Sequence, residues 1–229
     1  MNRVKGFTLI ELLVSMSLLS FIILIGSSGF AMFSERWDGR LGKFDSAMAD
    51  ARNLMLVNDA LASLVPYVAL DRNKKPRFYF EGNRNGFVAV SSDSVAISGR
   101  TAVVRLSVIQ RDDLSFDLVY EEWPMVSNIL IDTFQQIPFY KPLVLFTEIK
   151  NPVFQYLGWA TLEAKYGDGE PGSDLPPEWL PEYNALDMDE TPVMVRLSFV
   201  TDAGPIILVS NLAEPVPGLL TRYDEDPVF

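Results

Sequence analysis

The chain has 229 residues, of which 30 are acidic and 19 basic, so its formal net charge is −11. This length allows one domain of ordinary size with a buried core, and the negative charge argues against a nucleic-acid partner. The sequence has no histidine and no cysteine, which excludes histidine-based triads, thiol nucleophiles and zinc sites built from these residues. Hydrolysis by paired carboxylates stays open.

An apolar segment at residues 7–33 follows a short cationic stretch. Its residues are apolar, small or hydroxylic except for Glu11. As a helix it would measure about 40 Å, more than the roughly 30 Å of a hydrocarbon core. Arg3 and Lys5 precede it, and the first ten residues contain no acidic side chain. The positive-inside rule therefore predicts a cytoplasmic N-terminus and an exported domain after about residue 34.

Three interpretations compete for this segment. A secretory signal peptide would have small residues available for cleavage at 26–31, but the apolar run is long and contains Glu11. A plain single-span anchor leaves Glu11 as an unexplained cost of about 2.5–3.5 kcal/mol at mid-bilayer. The third interpretation gives Glu11 a partner.

Residues 5–12, Lys-Gly-Phe-Thr-Leu-Ile-Glu-Leu, resemble the prepilin signature of type IV pilins and type II secretion pseudopilins. The resemblance implies that a prepilin peptidase cleaves between Gly6 and Phe7 and then methylates the new amine of Phe7. Residues 1–6 are then a leader peptide, and residues 7–33 are the transmembrane half of a long helix. The cationic amine lies about one helical turn from Glu11, or reaches Glu11 of a neighbouring subunit, so we expect Glu11 to set subunit registration.

The pattern beyond the apolar segment is that of an amphipathic helix. Apolar residues recur at spacings of three and four, with charged residues between them. This stripe consists of Trp37, Leu41, Phe44, Met48, Ala51 and Met55, and it continues through Leu61 and Leu64. We therefore predict that residues 34–66 form the amphipathic half of the helix, which ends near Pro66. The stripe is expected to pack against the protein's own sheet, and a partner helix is the alternative.

Residues 67–229 are predicted to form a β-rich domain, because short alternating segments are separated by turn residues. The predicted strands are 77–81, 87–91, 102–110, 114–121, 129–131, 143–149, 153–157, 159–165, 193–200 and 205–210. Neighbouring strands are expected to pair as antiparallel hairpins. A long helix packed on antiparallel sheets is an α+β fold of the pilin-like type, and the number of strands favours two sheets.

Residues 163–190 are acidic and rich in proline and glycine, so they are predicted to form a loop. Asp168, Glu170 and Asp174 are weak calcium candidates, but their spacing does not fit an EF-hand. A solvated loop is the preferred interpretation, and no cofactor is expected. Trp179 and Tyr183 would anchor either a contact with another subunit or a local hydrophobic cluster.

The chain also resembles minor pseudopilin J of type II secretion in its length and in residues 77–82, 116–120 and 192–199. This resemblance implies a non-enzymatic subunit at the pseudopilus tip that primes filament assembly. Its partners would be other minor and major pseudopilins, the prepilin peptidase, the inner-membrane assembly platform and the lipid bilayer, with the C-terminal domain in the periplasm. A minor pilin that primes a type IV pilus is the alternative, and a membrane-anchored carboxylate hydrolase is a third hypothesis.

Overall fold

The computed structural model describes residues 8–167 and 175–225. The chain divides into two compact units, one ending at Ala51 and the other beginning at Arg52. Helix α1 (Leu9–Ala62) belongs to both units. After it come the strands β1 (Leu64–Val65), β2 (Val68–Leu70), β3 (Pro76–Phe78), β4 (Phe80–Asn83), β5 (Gly86–Ser91), β6 (Ala102–Gln110), β7 (Phe116–Pro124) and β8 (Leu143–Gly158), then α2 (Leu162–Tyr166), β9 (Glu178–Leu180), β10 (Tyr183–Asn184), α3 (Ala185–Met188), β11 (Met194–Thr201), β12 (Gly204–Asn211) and α4 (Leu219–Glu225).

The strands form one curled antiparallel sheet in the order β10-β4-β5-β6-β7-β8-β11-β12. β1 pairs with β5 and β9 pairs with β8, while β2 and β3 form a separate two-stranded sheet. The expected α+β fold, a long N-terminal helix with an antiparallel β-domain, is confirmed.

Strand β8 makes the sheet curl. Its first half pairs with β7, and its second half pairs with β11 and β9. Between the halves, Glu148 and Asn151 have positive φ angles of 57° and 51°, and such residues bend a strand where the ladder is interrupted. The segments 143–149 and 153–157 are therefore one bent strand rather than two.

The curl brings the second half of β8 onto the β4–β5 hairpin, where the core is aromatic. The Tyr156 ring lies edge-on to Phe80, with 5.6 Å between centroids, and Phe154 lies edge-on to Phe87 at 6.1 Å. Such edge-to-face pairs suit the charge distribution of aromatic rings. The last turns of α1 add Val57 and Leu61 to the same core, and both are fully buried.

Several predicted elements differ from the structure. The helix ends at Ala62 rather than near Pro66, because β1 begins at Leu64 and pairs with β5. The predicted strand 77–81 is divided between β3, which pairs with β2, and β4, which pairs with β5. Residues 129–131 form no strand, although Leu130 is buried.

The predicted strand 159–165 and the predicted loop 163–190 were also wrong in part. Thr161 caps α2, since its Oγ1 accepts a hydrogen bond from Ala164 N at 3.1 Å, and a capped turn favours helix over strand. The acidic region further contains β9, β10 and α3, all described above. Its prolines limit these elements to between two and four residues each.

Candidate functional site

The N-terminal end of α1 carries the site that the sequence points to. Glu11 lies in the first turn, and its Oε2 accepts hydrogen bonds from Thr8 N and Thr8 Oγ1, both at 3.2 Å. In return, Glu11 N donates to Thr8 Oγ1 at 3.4 Å. This reciprocal arrangement is a capping box, which satisfies two of the N–H groups that a helix start leaves without partners. The Glu11 carboxylate therefore faces the N-terminal end of the helix, where the helix dipole also favours a negative charge.

The following segment, Leu9–Ser34, is 26 residues long, and its side chains are not buried inside the protein. At 1.5 Å per residue it measures about 39 Å, enough to cross a hydrocarbon core. Its serines bond to their own helix: Ser15 Oγ donates to Glu11 O at 2.7 Å, and Ser20 Oγ donates to Met16 O at 2.9 Å. Such internal bonds are what a lipid environment requires of hydroxyl groups.

Residues 1–27 match the family described as the prokaryotic N-terminal methylation motif. The chain carries the prepilin-type signature of type IV pilin-like proteins. This signature implies processing by a prepilin peptidase and assembly with other pilin-like proteins. The apolar helix that follows agrees with a single-pass membrane anchor. No curated protein matches the chain.

Of the predicted site residues of this prepilin-type protein, only some belong to the part of the chain that the structure describes. Glu11 is described above, whereas Gly6 and Phe7 lie outside the described residues. The calcium candidates Asp168, Glu170 and Asp174 also lie outside them. Within residues 8–167 and 175–225, acidic side chains form no group of three or more suited to a metal ion.

The apolar stripe that runs along α1 packs as expected only at its C-terminal end. Met55 is 67% exposed, and Phe44 and Met48 are exposed as well. At its C-terminal end the stripe does enter the core, through Leu61 and Leu64, together with Val57, which the stripe did not include. The expectation that the stripe packs against the protein's own sheet is wrong for Met55, and the alternative, a partner helix, remains for this face.

Trp179 and Tyr183 form local contacts. Tyr183 is 3% exposed, and its ring lies edge-on to Phe80 with 6.4 Å between centroids. Trp179 lies beneath the Arg196 guanidinium, whose central carbon is 4.2 Å from the ring centroid, a favourable cation–π arrangement. Of the two expectations for these residues, the structure supports the local hydrophobic cluster.

A cavity of about 590 Å³ lies in the second unit, between the Trp159–Tyr166 region and residues 212–221. Two of its lining carboxylates are engaged by cations: Asp189 pairs with Arg77, and Glu190 Oε1 lies 2.6 Å from Lys165 Nζ. Burial acts to lower the pKa of Lys165, but its bonds to Glu190 and Tyr166 outweigh burial and raise that pKa. Asp189 and Glu190 are thus held in ion pairs rather than facing each other as a hydrolytic acid–base pair.

Sequence reasoning missed a buried carboxylate, Glu122, which is held by four hydrogen bonds. Its oxygens accept from Ser94 Oγ at 3.1 Å, Val95 N at 2.9 Å, Ala96 N at 2.6 Å and Tyr120 Oη at 2.8 Å. Because a buried carboxylate needs such donors, Glu122 fixes the loop after β5 to strand β7. The predicted strand ended at residue 121, so Glu122 lay outside it, and its backbone donors come from a loop more than twenty residues earlier, which no local pattern indicates.

Proposed function

We propose that this prepilin-type protein is a minor pseudopilin of a type II secretion system. In this proposal it is a structural subunit without catalytic activity, located in the bacterial inner membrane with its β-domain in the periplasm. It joins other pseudopilins at the tip of the pseudopilus and primes filament assembly for protein export. The observation that carries the proposal is the Glu11 carboxylate, which faces the helix N-terminus within a prepilin-type signature.

Glu11 is proposed to register the subunit in the filament. In the uncleaved chain its carboxylate accepts from Thr8 N and Oγ1. Cleavage after Gly6 would place a cationic amine on Phe7, one residue before Thr8 in the sequence. A buried pair of opposite charges adds little net stability, but leaving one member unpaired is costly. An incoming subunit is therefore favoured in the register that pairs an amine with a carboxylate.

The exposed stripe on α1 supports assembly through helices. Phe44 and Met48 are exposed and one helical turn apart, so they share one helix face, and Met55 in the second unit is exposed as well. A stripe of this spacing fits the groove of a neighbouring helix. The methionines suit such a contact because their flexible side chains adapt to different partners.

The choice of a pseudopilin over a major pilin rests on two sequence features and the size of the sheet. The chain has no cysteine for a C-terminal disulfide, and segment 9–34 has no proline, whereas many major pilins carry both. The sheet is larger than that of a minimal pilin, with ten strands among the described residues. The engagement of Asp189 and Glu190 by cations favours a structural role over the hydrolase hypothesis.

The registration role is tested by co-expressing the full chain with a prepilin peptidase and with the pilin-like proteins encoded beside it. Glu11→Ala should leave membrane insertion unchanged and lower co-purification of those proteins at least tenfold, since an unpaired buried charge costs about 3–5 kcal/mol. Ser15→Ala, one turn further along, is the matched control and should co-purify normally. Normal co-purification of Glu11→Ala would contradict the role proposed for Glu11.

Deletion of the gene in its own bacterium distinguishes a pseudopilin of a secretion system from a minor pilin of a type IV pilus. A minor pseudopilin predicts that secreted enzymes accumulate in the periplasm while surface pili remain. Loss of surface pili with normal secretion would instead identify a minor pilin of a type IV pilus. Retention of both would overturn either assignment.

A further inference from the structure

Strand β12 leaves one edge of the curled sheet open. It pairs with β11 over its whole length, from Gly204 opposite Thr201 to Asn211 opposite Met194, and no strand of the described chain pairs with its other side. At the opposite end of the sheet, the edge strand β10 is only two residues long and leads directly into α3. That end therefore offers much less unpaired backbone than β12. Natural sheets usually protect a long edge with charges or a covering element.

The ladder shows which backbone groups of β12 remain available. Leu212 N donates to Val193 O at 2.9 Å, just beyond the last pair of the strand. Because bonding alternates along an antiparallel ladder, the even-numbered residues of β12 bond to β11. The N–H and C=O groups of Ile207, Val209 and Asn211 therefore point to the open edge. Pro205 points there too, with a C=O but no N–H.

The side chains along this edge are apolar. Ile207 is 67% exposed and Val209 is 48% exposed, and both lie on the outer face of the sheet. Residues 204–211 contain no charged side chain. Edge residues of this kind favour the addition of another strand rather than prevent it.

We propose that a second copy of this chain covers the edge by pairing its own β12 in the antiparallel direction. In the register that the residues favour, Ile207 of one copy lies opposite Val209 of the other, and Leu208 lies on the two-fold axis. The pairing makes about six main-chain hydrogen bonds, four between residues 207 and 209 and two from Asn211 N to Pro205 O. This proposal is independent of the secretion role, because it rests on β12 alone.

Neighbouring antiparallel registers are also two-fold symmetric, but within β12 this one alone combines about six main-chain hydrogen bonds with apolar residues in both central pairs. It groups Ile207 and Val209 of both copies on one face of the joined sheet. A shift by two residues in one direction would place Ile207 opposite itself and Pro205 opposite Val209, which leaves only about four main-chain hydrogen bonds within the strand. A shift in the other direction would place Asn211 opposite Ile207, which breaks the apolar cluster.

A second copy also suits the edge because the pairing leaves no β12 edge open in the dimer. A two-fold interface uses the same surface on both subunits and leaves neither copy with a free β12. The interface is small compared with the roughly 1,600 Å² of a standard complex, so we expect weak, reversible pairing. Since each chain carries a net charge of −11, salt that screens this repulsion should strengthen the pairing.

The test uses disulfide formation in membranes, which is straightforward because the full chain has no cysteine of its own. Ile207→Cys and Val209→Cys chains carry tags of different size and are expressed together or separately in one bacterial host. Opposed residues in a bonded antiparallel pair have Cα atoms about 5.5 Å apart, within the range of a disulfide. Same-site pairs are diagonal, at about 7–8 Å.

We expect the mixed Ile207→Cys and Val209→Cys pair to cross-link at least fivefold faster than either same-site pair. Val153→Cys is the control. Val153 is 42% exposed and lies on the same outer face as Ile207, because both residues pair with Ser198 of β11, but it belongs to the interior strand β8. It should not cross-link above background. Equal rates for all pairs, faster same-site pairs, or cross-links only to a different polypeptide would each overturn the proposal.

Discussion

Replacing Tyr156 by phenylalanine removes one oxygen atom from the aromatic core and tests what closes the curled sheet. The Tyr156 hydroxyl lies 2.8 Å from Asn83 O and 2.7 Å from Gly86 O, so it joins the second half of β8 to the β4–β5 turn. Tyr183 provides a matched control in the same core. Its hydroxyl is buried and has no hydrogen-bond partner among the described residues.

The two substitutions differ in their expected cost. A net hydrogen bond contributes about 0.5–1.5 kcal/mol, and a buried acceptor left without a donor costs about 1–3 kcal/mol more. Tyr156→Phe loses such a bond and leaves the Gly86 carbonyl without this donor, so we expect a loss of roughly 2 kcal/mol in the free energy of unfolding. Tyr183→Phe removes an unpaired buried hydroxyl, so its effect should lie between zero and a gain of about 1 kcal/mol.

Urea unfolding of the full chain in detergent micelles, followed by tryptophan fluorescence, measures both effects. At a slope of about 1–3 kcal/mol per molar urea, a loss of 2 kcal/mol lowers the midpoint by roughly 1 M. Equal midpoints for the Tyr156→Phe and Tyr183→Phe chains would refute the reasoning, because both changes remove the same atom from a buried ring. A lower midpoint for Tyr183→Phe alone would refute it as well.

Three further predictions concern the β-domain. A Cβ added at Gly82 would overlap the Tyr156 ring, so Gly82→Ala should cost about 1–3 kcal/mol in the same urea assay, and an unchanged midpoint would argue against the close packing of β4 on β8. Burial, and then the Glu81 charge, raises the pKa of Tyr79 from 10.0 to about 12. This contribution to stability is full below pH 10 and is lost as the pH rises toward 12, so the ring-carbon NMR signal assigned to Tyr79 should show ionisation together with unfolding, and ionisation of Tyr79 in the folded chain near pH 10 would contradict this. Glu122→Gln replaces one accepting oxygen by an amide nitrogen, which cannot accept from a backbone N–H. Hydrogen exchange at the Val95 and Ala96 amides should therefore become faster while the core amides stay protected, and unchanged exchange would contradict the anchoring role of Glu122.

The parts of the fold that depend on neighbouring residues were predictable from the sequence. The β4–β5 hairpin follows from its asparagine and glycine residues, and Asn83 Oδ1 indeed accepts from Asn85 N at 2.8 Å. Strand β6 spans the predicted residues 102–110, because its apolar run has no internal breaker. The turn Asp202–Ala203 likewise joins β11 and β12 as expected.

The parts that depend on distant contacts were not predictable. Pro152 suggested a break between two strands, but β8 continues through it because β11 and β7 hold its two halves. The hydrogen bond from Tyr156 to Asn83 joins residues 73 positions apart, and no local sequence pattern predicts it. The exposure of Met55 also depends on which face of α1 meets the sheet, and periodicity alone does not select that face.

The N-terminal signature was predictable from the sequence, but the geometry around Glu11 was not. The prepilin-type signature identified Glu11, and the family match at residues 1–27 agrees with it. The capping box with Thr8 was also readable as a threonine followed three residues later by a glutamate. The partner expected for Glu11 was the Phe7 amine, which exists only after cleavage. The hydrogen bonds between Thr8 and Glu11 were therefore not predicted.

The mass of the mature protein tests the account most directly. The full chain is co-expressed with a prepilin peptidase, and its intact mass and N-terminal peptide are measured by mass spectrometry. The account predicts that residues 1–6 are missing and that the chain begins at a methylated Phe7. A chain that still begins at Met1, or that begins near residue 30 as after signal-peptide cleavage, would contradict it, because Glu11 would then have no new amine to pair with.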